Sequence, residues 1–151
     1  MGTRSLVTFN DEFNGKEICV VYRQYDGYPD GRGKELADFL EGYVVGNGIP
    51  YGVKLPAKYA NGMRELSALW VVFEKSQNMQ GNVYLEPAKT RDVGEEWIYE
   101  VSLAEGNLEI KVTDVLAKEA NDDPVEMRWD WEGRKWFPVE SKTQEGLTST
   151  M

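Results

Sequence analysis

From Arg23 to Lys34 the chain reads Arg-Gln-Tyr-Asp-Gly-Tyr-Pro-Asp-Gly-Arg-Gly-Lys, its densest run of chemistry-bearing residues. Three glycines and a proline break all periodicity, so the backbone must turn sharply. A helical pattern follows. Free backbone N–H groups and the macrodipole at a helix N-terminus favour an anion. Arg23, Arg32 and Lys34 supply positive charge, and Tyr25 and Tyr28 offer faces on which a planar group can stack. Gln24, Asp26, Gly27, Asp30, Gly31 and Gly33 complete the candidate ligand-binding set. Such a loop suits a small anionic molecule such as a nucleotide. It matches neither a P-loop nor the dinucleotide fingerprint. Asp30 also reads as an N-cap, which would occupy part of the N–H array. The competing reading is a tightly specified turn that holds helix to sheet.

Other chemistries are narrowed by what the chain lacks. It contains no histidine, so Ser-His-Asp triads, Cys-His dyads and His-based metal sites are excluded. Asp26, Asp30 and Gly31 sit where an EF-hand loop would place positions 1, 5 and 6, but Tyr28 and Ala37 stand at two ligand positions. No metal and no cofactor is therefore expected. Asp26 and Glu35 are a possible carboxylate pair for acid–base work, with a separation that sequence does not fix. Cys19, within Ile18-Cys19-Val20-Val21, reads as a small buried residue rather than a nucleophile.

A second cluster is aromatic. Trp129, Trp131 and Trp136 crowd one expected hairpin, with Met127 and Phe137 beside them. Such a set is ordinarily core; if exposed, it is a hot-spot surface for a protein partner. The net charge of −9 argues against direct nucleic-acid binding, which needs clustered Lys and Arg. It is compatible with docking on a basic host protein, or simply with solubility.

These residues need elements to position them. Arg4 to Phe9 alternates as a half-buried strand, and Lys16 to Arg23 reads as a second, with the turn Asn10–Gly15 between them. In that second strand Ile18, Val20 and Tyr22 share one face, and Cys19, Val21 and Arg23 the other. A helix over 34–43 would bury Leu36, Phe39, Leu40, Tyr43 and Val44. A second helix over 61–75 would bury Met63, Leu66, Trp70 and Phe73, with Leu69 and Val72 widening the stripe. Short strands are expected over 82–86, 96–103, 108–115, 125–131 and 134–139. The expected fold is α+β: a mainly antiparallel sheet with two amphipathic helices inserted after the first hairpin and packed on it.

A chain of 151 residues, 41% hydrophobic and 12% aromatic, is long enough to bury a core. One domain is expected over 1–140, and a flexible tail over 141–151, where little can be buried. No stretch approaches the roughly 18–20 apolar residues of a membrane span, so no membrane partner is expected. The opening lacks the regions of a signal peptide, and one cysteine makes no intrachain disulfide. The expected location is cytoplasmic.

The opening Gly2-Thr3-Arg4-Ser5-Leu6 and the loop Tyr22-Arg23-Gln24-Tyr25-Asp26-Gly27-Tyr28-Pro29-Asp30-Gly31-Arg32-Gly33 resemble a family of small proteins of uncharacterised activity. Its members, from bacteria, phages and fungi, begin Gly-Thr-Arg-Gly or Gly-Thr-Arg-Ser and carry a Gln-x-Asp-Gly-Tyr-Pro-x-Gly-x-Gly loop. Val83–Pro87 and Glu95–Glu100 are similar too, so the resemblance covers roughly the first 115 residues. It implies no mechanism, but the phage members leave a viral origin open. If the two motifs meet in space, two arrangements are expected: Arg4 pairs with Asp26 as a structural lock, or both face a ligand. Three functions follow in order: a non-catalytic binding protein taking a small anionic ligand, a phage-type anti-defence inhibitor of a host protein through an acidic or Trp-rich surface, and a carboxylate-based enzyme.

Overall fold

Apolar residues in seven short segments pair into one sheet, because the apolar face of a strand must be buried against a helix layer. A computed structural model describes residues 2–139; the tail expected from residue 141 lies outside them. The strands are β1 (Ser5–Asn10), β2 (Glu17–Arg23), β3 (Val44–Gly46), β4 (Tyr59–Asn61), β5 (Val83–Glu86), β6 (Trp97–Ala104), β7 (Asn107–Asp114), β8 (Glu126–Asp130) and β9 (Lys135–Pro138). The helices are α1 (Lys34–Leu40), α2 (Gly62–Gln77) and α3 (Val115–Ala120).

Seven strands form the main sheet in the order β5-β2-β1-β6-β7-β8-β9, while β3 and β4 make a small parallel pair. Within the main sheet only β1 and β6 run parallel; the other neighbours are antiparallel. The fold is α+β. No described helix is long and apolar enough to cross a membrane.

The register places Val7 and Val21 opposite one another, and Val7 beside Tyr99. These residues and Phe9, Val101, Ile110 and Val112 face Leu36, Leu40, Met63, Leu66 and Trp70 from α1 and α2 in one buried core. Leu6, Thr8 and Val20, on the other side of the pleat, are also fully buried, so β1 is covered on both faces rather than being the half-buried strand that its alternation predicts. Residues 87–96 carry the chain from the β5 edge past β2 and β1 to β6. They are tied down by the Arg91–Glu17 ion pair at 2.7 Å and by Glu96 N–H donating to the Arg4 carbonyl.

Several expectations change. α1 stops at Leu40, and Val44 sits half-exposed in β3 rather than on the helix stripe. The glycine after Glu41 has φ +85°, a conformation that ends a helix at little steric cost. Val72 is 65% exposed, because the stripe of α2 runs through Met63, Leu66, Ser67, Trp70 and Glu74 instead. Two elements are absent from the sequence pattern: the β3–β4 pair and α3. Asp114 caps α3 by accepting from the Ala117 N–H at 3.1 Å.

Candidate functional site

In an antiparallel hairpin the start of the first strand lies beside the end of the second. Ser5 pairs with Arg23, so the Gly-Thr-Arg-Ser opening and the glycine-rich loop meet. The lock between them is not the expected Arg4–Asp26 pair. Thr3 offers its carbonyl to the Gly27 N–H at 2.8 Å, and Ser5 accepts from Arg32 through both its carbonyl (3.0 Å) and its Oγ (3.1 Å). Arg4 lies against Gly94 instead.

The loop glycines are required by close packing. A β-carbon at Gly27 would overlap the Ser5 side chain, one at Gly31 the Asp26 carbonyl, and one at Gly33 the rings of Tyr99 and Trp136. Tyr99 donates its hydroxyl to the Gly27 carbonyl at 2.7 Å, and its burial pushes the phenol well above its ordinary range. Trp136 Nε1 donates to the Pro29 carbonyl at 3.2 Å.

Two expectations about the helix start are corrected by the same geometry. Pro29–Gly33 forms a π-helical turn that runs directly into α1, so Asp30 does not act as an N-cap. The N–H groups of Gly31 and Gly33 donate to the Tyr28 carbonyl and that of Arg32 to the Asp26 carbonyl. These three N–H groups of the array expected to receive an anion are therefore engaged within the chain, which is how buried backbone is satisfied.

Arg32, a candidate ligand contact by sequence, is fully buried. Its Nε and Nη2 donate to Glu74 on α2. Desolvation draws its pKa down, and the Glu74 carboxylate opposes that shift. Glu74 is itself 1% exposed and also accepts from Arg23 Nη1 at 3.4 Å. Arg23, with its Nε on the Tyr25 carbonyl at 2.8 Å, reaches outward to Glu35 at 2.5 Å. Two guanidinium groups thus share one buried carboxylate. The chain of charges runs Arg32–Glu74–Arg23–Glu35, from full burial to a Glu35 side chain that is 49% exposed.

At its outer end lies a polar cleft of about 210 Å³ lined by Arg23, Glu35, Phe73, Glu74, Gln77 and Asn78. Asn78 is fixed by donating to the Glu74 carbonyl at 2.9 Å and accepting from Asn82. Asn82 in turn receives the N–H groups of Gln24 and Tyr25 on its Oδ1. Of the sequence-derived set, only Arg23 lines the cleft. Gln24 and the three glycines are architectural, while Tyr25, Asp26, Tyr28, Asp30 and Lys34 sit at the surface. Glu74 was missed. Its sequence signal is a carboxylate four residues after Trp70 on the apolar stripe of α2, a place where a charge needs a partner.

The tryptophan cluster is anchored in the core through Trp129, with Trp131 and Trp136 partly buried against it. Trp129 is 7% exposed, and its ring meets Trp131 and Trp136 edge-on at 6.4 and 5.1 Å. Trp131 donates its Nε1 to the Leu108 carbonyl at 2.9 Å. Their register explains this: Trp129 pairs with Trp136 on the helix-covered side of β8 and β9. Of the three rings expected at a partner-binding face, Trp129 is withdrawn into the core, while Trp131 and Trp136 keep part of their surface in solvent.

Comparison with family models, curated proteins and solved structures gives no match.

Proposed function

We propose that this is a non-catalytic binding protein that takes a small anionic ligand at the Arg23 cleft. One observation carries the reading: the buried Arg32–Glu74–Arg23 group holds two cations against one carboxylate, and it opens to solvent through Arg23. A carboxylate or phosphate oxygen is the natural complement to that guanidinium. Pockets for drug-sized ligands run from roughly 300 Å³ upward. At about 210 Å³ the cleft has room for the charged end of a ligand such as a nucleotide, with the remainder lying outside it.

The test is a titration with inorganic phosphate and with nucleoside phosphates, followed by nitrogen-edited NMR. Arg23 Nε–H is held on a carbonyl and makes a suitable reporter. A saturable shift of that signal and of the Gln77 and Asn78 amides is expected. Silence at millimolar ligand overturns the reading.

A second reading, inhibition of a host protein as in viral anti-defence, moves away from the tryptophans. Ile49, Tyr51 and Val53 are 64%, 103% and 60% exposed on the segment joining β3 to β4. A contiguous exposed apolar patch is what a partner surface requires, and these three side chains are the candidates for one. Loss of inhibition in a triple serine variant at these positions, with phosphate binding intact, would favour it. The carboxylate-enzyme reading is weakened because Glu35 is engaged with Arg23.

A further inference from the structure

We infer that Glu35 is a built-in competitor for the Arg23 cleft, and that ligand binding is an exchange of its carboxylate for that of a small carboxylate or phosphate compound. This deepens the proposed binding function and rests on it.

The inference follows from how the four charges differ in their freedom. Arg32 and Glu74 are sealed in the core, where breaking either contact leaves an uncompensated buried charge. Arg23 is 10% exposed in its side chain and is held from behind by the Tyr25 carbonyl and Glu74. The buried trio therefore requires one anion at its outer end. Glu35 supplies it from the first turn of α1, at 2.5 Å, with a side chain that remains half in water.

Release of Glu35 costs little desolvation, because its carboxylate returns to solvent, and the exposed partner of such a pair contributes modestly. Arg23 cannot leave with it. The same contact that neutralises the trio in the free protein thus sets a threshold that a ligand must exceed. A neutral molecule gains nothing by exchange; a compact anion able to take two donors from one guanidinium gains most. Gln77 lines the same cleft, and Asn78, its side chain held by the Glu74 carbonyl and Asn82, forms a fixed part of the wall.

The experiment compares the full chain with Glu35→Gln and with Glu109→Gln, using inorganic phosphate as the probe. Glu109 is an exposed carboxylate on β7 paired with Arg128, so it controls for the change in net charge. Glu35→Gln is expected to bind phosphate on the order of tenfold more tightly, with Glu109→Gln unchanged from the parent. Thermal unfolding of each protein checks that the fold is intact. Equal or weaker binding by Glu35→Gln, with clear binding by the parent, overturns the competitor role and leaves the binding function standing. Binding by Glu35→Gln alone supports the competitor role and removes phosphate as a ligand of the free protein. Absence of binding by all three overturns both.

Discussion

Two connections in this protein look alike on paper and behave oppositely. Residues 24–33 and 47–58 each follow a strand, and each carries glycines, proline and tyrosine among polar residues. The first is fastened to the core: Arg32 is sealed against Glu74, Gly27 sits on Ser5, and Tyr99 and Trp136 hold the Gly27 and Pro29 carbonyls. The second stands away from it, with Tyr51 fully exposed and Ile49 and Val53 mostly so. Its anchors are at the ends, where Asn61 accepts from the Gly48 N–H and Tyr59 donates to the Gly48 carbonyl. Turn composition tells where the chain bends. Whether the bend is rigid depends on a partner elsewhere, here a glutamate 42 residues beyond Arg32.

The sharpest way to break this contrast is at that partner. Glu74→Ala leaves Arg32 buried without a counter-charge, which is expected to cost about 3–5 kcal/mol. That is a large share of the roughly 5–15 kcal/mol that holds a domain folded. Urea denaturation reads it directly, and a variant as stable as the parent would show that the loop is fastened by packing alone.

A smaller effect is expected at Gly27→Ala. The added methyl overlaps the Ser5 side chain, and overpacking of this kind costs about 1–3 kcal/mol. A shift of the denaturation midpoint without change in its slope is the anticipated result. No shift would mean that β1 can retreat from the loop.

The first-hairpin turn offers a pH test. Asp11 Oδ1 accepts the N–H groups of Phe13 and Asn14, and these bonds, the Phe13 one foremost, lower its pKa below the ordinary 3.8. A depressed pKa in the folded state stabilises at pH above the unfolded value, and the contribution is lost as pH falls through the folded one. Asp11→Ala is therefore expected to be less stable than the parent at neutral pH, the gap closing below about pH 4. A gap independent of pH would assign the effect to chain geometry rather than to the carboxylate.

The smallest change is expected on the other side of the comparison. Tyr51→Ser removes an exposed ring and should alter stability by no more than about 0.5 kcal/mol. A larger loss would show that the segment from 47 to 58 packs more firmly than its exposure indicates.

Much of the fold was legible because its signals are local. Alternation in Val7, Phe9, Val21, Tyr99 and Val101 marks one face of the sheet, and these residues are buried on that face. Met63, Leu66 and Trp70 mark the helix stripe for the same reason. Val72 and Val44 misled, since an apolar residue at the margin of a stripe can lie in water without great cost. The parallel β3–β4 pair was invisible, because three residues carry too little periodicity to read. At the candidate site, Arg23 was found and Glu74 was not. Arg32 was assigned to a ligand although its partner is internal. Charge type is visible in a sequence; the atom that answers the charge is not.

The sequence by itself determined the class of the fold, the place of the sharp turn after β2, and the exclusion of histidine chemistry. Each follows from residue type and short-range spacing, which act before any distant contact forms. Only the tertiary structure decided that the N–H groups of Gly31, Arg32 and Gly33 are spent within the chain, and that Trp129 belongs to the core. It alone assembled Arg32, Glu74, Arg23 and Glu35 into one line of charge reaching a cleft. These outcomes depend on which segments fold against one another. Burial turns a surface cation into half of an ion pair, and no local pattern records that exchange.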